Sequence, residues 1–81
     1  MISKPGNNLR TLRRRKGLLQ KELADQSGVG LRTIQSYEQG KRELDNSELE
    51  NVLRLAIALD CAVSDLLSDE KLKELCRKAR L

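Results

Sequence analysis

The chain has 81 residues and a net charge of +4, and its length allows one domain with a modest core. Tyr37 is its single aromatic residue, so Leu, Ile, Val and Ala must supply the core, which favours packed helices over a β-sandwich. Residues 1–42 carry ten basic and three acidic side chains (net +7), whereas residues 43–81 carry six and nine (net −3). This asymmetry indicates either a polyanionic partner on one side of the molecule or a solvated basic face.

The N-terminal part of the sequence predicts a flexible arm followed by a helix. Residues 1–8 contain the only Pro and lack a regular apolar pattern, which is typical of an arm. The first helix is predicted over Leu9–Lys16, because Asn7 or Asn8 is suited to cap its start and Gly17 is suited to close its end.

The next two helices are predicted to form a helix-turn-helix. The second covers Gln20–Ser27 and ends at Gly28, and the third covers Leu31–Gln39 and ends at Gly40. Their apolar spacing places four side chains towards the core: Leu23, Ala24, Ile34 and Tyr37. In this arrangement the second helix of the pair is the one that enters a DNA groove.

The acidic half of the chain predicts three further helices. Ser47 and Glu50 form a capping box at the start of a fourth helix. Its apolar face is formed by Leu49, Val52, Leu53, Ala56 and Leu59. A break at 60–62 precedes a short fifth helix over Val63–Leu67, and residues 68–81 predict an amphipathic sixth helix with acids in its first turn and bases in its last. Its apolar face is formed by Leu72, Leu75, Cys76 and Ala79.

Several kinds of site are not expected from this sequence. The chain has no His, and Cys61 and Cys76 lack a metal-ligand spacing, so we expect no metal, no cofactor and no small-molecule ligand. No activated nucleophile is recognisable, so we do not expect an enzyme. No stretch resembles a signal sequence or is apolar enough to span a bilayer, which predicts a cytoplasmic protein with two reduced, partly buried thiols and no membrane partner.

The segment from 9 to 67 resembles the phage repressor/Cro-like (XRE-type) helix-turn-helix family. The resemblance rests on Leu9-x-x-Leu12-Arg13, Gly17-Leu18-x-Gln20-x-x-Leu23-Ala24, Gly28-Val29, Thr33-Ile34-x-x-Tyr37-Glu38-x-Gly40-Lys41-Arg42 and Leu55-Ala56-x-Ala58-Leu59. It implies an all-α, five-helix DNA-binding domain over 9–67, with 68–81 as an additional C-terminal helical segment. It also implies a homodimer on a palindromic operator in double-stranded DNA.

The resemblance further implies which side chains meet DNA. The positions that read base edges are Leu31, Arg32, Gln35 and Ser36. Those that approach phosphates are Gln20, Thr33, Lys41, Arg42 and Arg10. An Arg suits guanine and a Ser suits several bases, whereas phosphate contacts orient the protein without reading sequence. Arg13 and Glu38 fall where some family members carry a structural ion pair.

Four features depart from the family pattern. Leu19 and Gly30 replace the usual Ser or Thr before the second and third helices. The connection from Gly40 to Ala56 is longer than usual and lacks a common Pro. Ile57 occupies a usually polar position, so either the sixth helix or a partner subunit is expected to cover it.

These observations predict a sequence-specific transcription regulator, a repressor that reads the major groove with residues 31–39. One alternative is an antitoxin or accessory regulator whose acidic C-terminal half binds a protein partner. Another is a helical protein-binding module that has kept the fold without binding DNA. Affinity for DNA that falls steeply with salt and depends on sequence separates a true DNA reader from the last alternative.

Overall fold

The computed structural model describes residues 8–44 and 48–81, and within these ranges the regular structure is all helical. The six helices are α1 (Leu9–Arg15), α2 (Gln20–Ser27), α3 (Leu31–Glu38), α4 (Leu49–Leu59), α5 (Val63–Leu66) and α6 (Glu70–Lys78). The all-α prediction is therefore confirmed. The predicted arm, apart from Asn8, and the Ser47 half of the predicted capping box lie outside the described residues.

A tight turn between α2 and α3 brings the two helices together. Gly28 has a φ of 77°, a left-handed conformation that costs Gly least, and its N–H donates to the carbonyl of Ala24 at 2.9 Å. The Oγ of the buried Ser27 accepts the N–H of Val29 at 3.1 Å. The turn therefore satisfies its own backbone groups and sends Val29, which is 3 % exposed, back into the core.

The starts of α1 and α2 are stabilised in ways that the sequence does not make obvious. Leu19 has no hydroxyl with which to cap α2, but its own N–H donates to Oε1 of Glu22 at 2.8 Å, which is half of a capping box. Asn8 precedes α1 without capping it. Its Nδ2 donates instead to the carbonyl of Asp65 at 3.2 Å, and its N–H donates to that of Leu66 at 3.3 Å, so Asn8 joins α1 to α5.

The core lies where α2 packs against α3 and α4. Leu23, Ile34 and Tyr37 are fully buried there, as the helix-turn-helix spacing predicts. The fourth predicted residue, Ala24, is partly buried against the core.

Two positions on α4 differ from its predicted apolar face. Leu55, which the predicted face leaves out although it lies three residues after Val52 and four before Leu59, is fully buried. Leu49 is 59 % exposed because the first turn of α4 extends beyond the core.

Helix α6 packs against α5 and buries none of its residues completely. Asp69 caps α6 by accepting the N–H of Lys71 at 2.8 Å. Leu72 and Cys76 are partly buried against the core, whereas Leu75 is 51 % exposed. No helix in the described part of the chain is long and apolar enough to cross a membrane.

Replacing Gly28 by Ala tests how the turn is constrained. A Cβ added at Gly28 would lie 2.9 Å from Nη1 of Arg54, and the backbone there has a left-handed φ. Gly17 also has a left-handed φ, of 74°, but a Cβ added there would have no neighbour within 4 Å. Arg54 is half exposed and forms an ion pair with the exposed Glu50, so its flexible side chain can move aside at little cost. We therefore expect both Ala variants to lose about 1–2 kcal/mol of unfolding free energy, the cost of left-handed backbone. Urea unfolding measures both. A loss several kcal/mol larger for Gly28→Ala than for Gly17→Ala would show that Arg54 is held rigidly over the turn.

Candidate nucleic-acid interface

The two faces of α3 differ sharply in exposure. Ile34 and Tyr37 point into the core and are fully buried. The opposite face carries the four predicted base-reading residues at helical spacing, with Leu31 and Arg32 exposed and Gln35 and Ser36 half-buried. The structure thus places Leu31, Arg32, Gln35 and Ser36 on one accessible surface, which we call the reading face.

Three of the predicted phosphate-contact residues lie within or just after α3, close in sequence to the reading face. Lys41 and Arg42 are exposed just after α3, and their backbone N–H groups both donate to the carbonyl of Ser36, at 2.9 and 3.3 Å. This C-terminal closure keeps the two cations beside the end of α3. Thr33, in the first turn of α3, is half-buried.

A buried ion pair joins α1 to α3. The Glu38 side chain has no exposed surface, and it accepts two hydrogen bonds from one guanidinium: Arg13 Nε to Oε2 at 2.7 Å and Arg13 Nη2 to Oε1 at 3.0 Å. Arg13 also donates from Nη1 to the carbonyl of Leu18 at 2.7 Å. A planar guanidinium is well matched to this bidentate geometry, so the pair fixes the distance between the two helices.

Two of the predicted phosphate-contact residues also bind the Glu38 carboxylate. Gln20 donates from Nε2 to Oε1 at 3.1 Å, and Arg10 donates from Nε to the same oxygen at 3.3 Å. Gln20 in turn accepts, through its own Oε1, a hydrogen bond of 3.5 Å from Nε2 of Gln35. A base-reading candidate and two phosphate-contact candidates therefore share one network with the Arg13–Glu38 pair.

The sequence predicts the Arg13–Glu38 pair as a structural contact and assigns Arg10 and Gln20 to phosphates, separately from that pair. The spacing of Arg10 and Arg13 is a usable signal for Arg10, because residues three apart lie on one face of a helix. No local signal points to Gln20, which lies 18 residues before Glu38.

The pair stays ionised around neutral pH. Burial by itself raises the pKa of Glu38, but the hydrogen bonds from Arg13 and Gln20 and the positive charge of Arg13 outweigh it, so this pKa lies below its usual value. The hydrogen bond to Glu38 raises the pKa of Arg13. Every buried side-chain nitrogen and oxygen in the described ranges has a hydrogen-bond partner. The network is thus charged but fully satisfied.

Burial raises the pKa of the Cys61 thiol, and the nearby carboxylates of Asp65 and Asp60 raise it further. Its thiolate is therefore disfavoured at neutral pH, which makes this cysteine a weak nucleophile. Cys61 and Cys76 are both free thiols of intermediate burial.

Comparison with known proteins agrees with this arrangement. Residues 9–66, which include α1–α5, match the family model described as Helix-turn-helix. Among solved structures, the restriction-modification controller protein C.AhdI from Aeromonas hydrophila is 42 % identical to this chain. The match covers 74 % of this chain and 86 % of that one, with a TM-score of 0.65. No curated protein matches the chain.

Replacing Glu38 by Gln tests the buried pair. We expect a loss of about 3–5 kcal/mol of unfolding free energy at neutral pH, because Arg13 keeps its buried charge without a counter-charge. The pKa of Glu38 is lowered by folding, so its stabilisation is complete above the unfolded value of about 4.3 and is lost as the pH falls through the lower folded value. Urea unfolding at several pH values should therefore show the difference from wild type shrinking in acid.

Glu50→Gln is the matched control for this measurement, because it breaks an exposed i,i+4 pair with Arg54 whose side chains are 68 % and 49 % exposed. Its cost should stay below about 0.5 kcal/mol. Equal losses for the two variants would contradict a special role for the buried pair.

Proposed function

The chain belongs to the XRE-type helix-turn-helix family, whose model its residues 9–66 match, and from that membership we propose that it is a cytoplasmic, homodimeric regulator that represses transcription at a palindromic operator. The family and the 42 % identical controller protein support a DNA-binding transcription regulator. Because that neighbour is a restriction-modification controller protein, a narrower proposal is also supported, namely that this chain controls a restriction-modification system.

The single observation that carries the proposal is the reading face of α3. Its polar and cationic side chains are exposed or half-buried, while the fully buried Ile34 and Tyr37 anchor the other side of the same helix to the core. An α-helix anchored in this way fits the width of the major groove. There Arg32 suits guanine O6 and N7, Ser36 suits several bases, and Leu31 suits a thymine methyl group.

The flanking residues would orient the reading face on the duplex. Lys41 and Arg42 after α3, Arg10 on α1, Gln20 at the start of α2 and Thr33 in the first turn of α3 are proposed to meet phosphates. Such contacts supply affinity that is independent of sequence and falls with salt. The net charge of +7 in residues 1–42 has the sign that this role requires.

An exposed apolar surface supports the homodimer. Ile57 is 79 % exposed on α4, and α6 does not cover it. Beside it lies a shallow groove whose apolar lining includes Leu53, Ala56, Val63 and Leu81, with the acidic residues Asp60 and Asp65 also lining it. A projecting apolar side chain next to a largely apolar groove allows a self-complementary contact about a two-fold axis, so each copy is proposed to place Ile57 against the groove of the other. Two copies related in this way would match a palindromic operator.

Replacing Arg32 by Ala tests the division between base reading and phosphate contact. An operator is first obtained by selecting bound sequences from a random duplex pool. We expect Arg32→Ala to lose about 1–3 kcal/mol of binding free energy on that operator and to relax the choice at one base pair.

Lys41→Ala is the matched control for Arg32→Ala. It should weaken binding to operator and random DNA alike and reduce the salt slope by about one unit. Fluorescence anisotropy titrations at several salt concentrations measure both variants. The proposal fails if the wild type prefers no duplex, and the assignment of Arg32 fails if the two variants behave alike.

Replacing Ile57 by Asp tests the dimer. We expect a folded monomer, because the side chain is largely exposed in the single chain whereas a charge in a dimer interface lacks a partner. Sedimentation equilibrium measures the mass and circular dichroism the helix content. Leu75→Asp, on the 51 % exposed position of α6, is the control and should remain dimeric. A monomeric Leu75→Asp together with a dimeric Ile57→Asp would place the interface on α6 instead.

A further inference from the structure

Three side chains form a directional chain of hydrogen bonds from the core to the reading face. Glu38 accepts from Nε2 of Gln20 at 3.1 Å, and Oε1 of Gln20 accepts from Nε2 of Gln35 at 3.5 Å. We call this series the amide relay. It begins at a side chain without exposed surface and ends at one of the residues proposed to read bases.

The chemistry of the first member determines the orientation of the other two. An ionised carboxylate only accepts hydrogen bonds, so Gln20 must turn its NH₂ group towards Glu38 and its oxygen away from it. That oxygen also only accepts, so Gln35 must turn its own NH₂ group towards Gln20. Gln35 is then left with its Oε1 and one N–H as the groups that can meet a base.

A Gln side chain with its amide oriented in this way matches adenine better than guanine. Adenine offers an N6 donor and an N7 acceptor in the major groove, which match one oxygen and one N–H. Guanine offers two acceptors, N7 and O6, which require two donors. A freely rotating Gln amide can turn its NH₂ group to guanine, but the relay opposes that rotation because it engages one N–H of Gln35.

We propose that the buried Glu38 carboxylate, acting through Gln20, sets the amide orientation of Gln35 so that Gln35 favours adenine over guanine at the base pair it reads. Glu38 and Gln20 are positioning residues in this proposal, since neither needs to touch the base. The proposal rests on the proposed function, because it assumes that α3 reads the major groove.

Gln20, the second member of the relay, is the position to change. Gln20→Met keeps the length of the side chain, removes both the C=O and the NH₂ of the amide, and leaves the Arg13–Glu38 pair intact. The operator obtained by selection is first compared with its single-base-pair variants, and Gln35→Met identifies the base pair that Gln35 reads. Wild type and Gln20→Met are then titrated on duplexes with adenine or guanine at that position. We expect the ratio of the two affinities to fall by about fivefold or more in Gln20→Met.

Two controls separate the relay from phosphate contact. Arg10→Ala removes the other peripheral donor to Oε1 of Glu38 without touching Gln35, and Lys41→Ala removes a cation beyond α3. Both should lower the affinity for the two duplexes equally and keep the wild-type ratio. Gln20→Ala repeats the measurement should Gln20→Met not fold, which circular dichroism reports.

The outcomes distinguish the relay from the proposed function. A wild type that prefers no duplex overturns both. A wild type with a clear preference overturns only the relay if Gln20→Met keeps the adenine-to-guanine ratio, if Gln35→Met changes no base pair, or if Arg10→Ala lowers the ratio as much as Gln20→Met does. A ratio that falls in Gln20→Met and stays unchanged in both controls supports the relay.

Discussion

The buried Glu38 carboxylate is the constraint on which the rest of this structure depends. It lies on the core side of α3, and a single bidentate guanidinium from α1 neutralises it. Removing a carboxylate from water is costly, and the pair becomes favourable only when its geometry leaves few lone pairs unsatisfied. Arg13, Arg10 and Gln20 meet that requirement from two other helices. One charge therefore sets how α1, α2 and α3 lie relative to one another.

Much of the fold was predictable because its signals are local. Gly28 ends α2 since few other residues tolerate its φ, and the spacing of Leu23, Ile34 and Tyr37 defines a buried face without knowledge of any neighbour. The predicted apolar face of α4 was less accurate, because burial also depends on the position of the other helices. Leu55 and Leu49 lie on the same helix, yet the first is fully buried and the second is largely exposed. Periodicity states which residues share a face but not how far the core extends along it.

The candidate nucleic-acid interface was only partly predictable from the sequence. The reading face follows from the inward residues of α3, because side chains on the opposite side of a helix must face away from the core. The resemblance to a family then attaches roles to particular positions. What it could not supply is the connection between Gln20 and Glu38, since a contact of 3.1 Å between side chains on different helices depends on the crossing of those helices. Gln20, assigned to phosphate contact, and Glu38, assigned to a structural ion pair, thus belong to one hydrogen-bond network in the folded protein.

The shallow burial of α6 has a consequence for the motion of the molecule. Because none of its residues is completely buried, little apolar contact is lost when α6 detaches, whereas α2, α3 and α4 share fully buried side chains. Amide hydrogens of α6 should therefore exchange with solvent through brief local openings, and those of α2 and α3 only when the whole domain unfolds. We therefore expect a cooperative unit around Glu38 and a helix α6 that opens independently of it, with each opening exposing the surface of α5 that α6 covers.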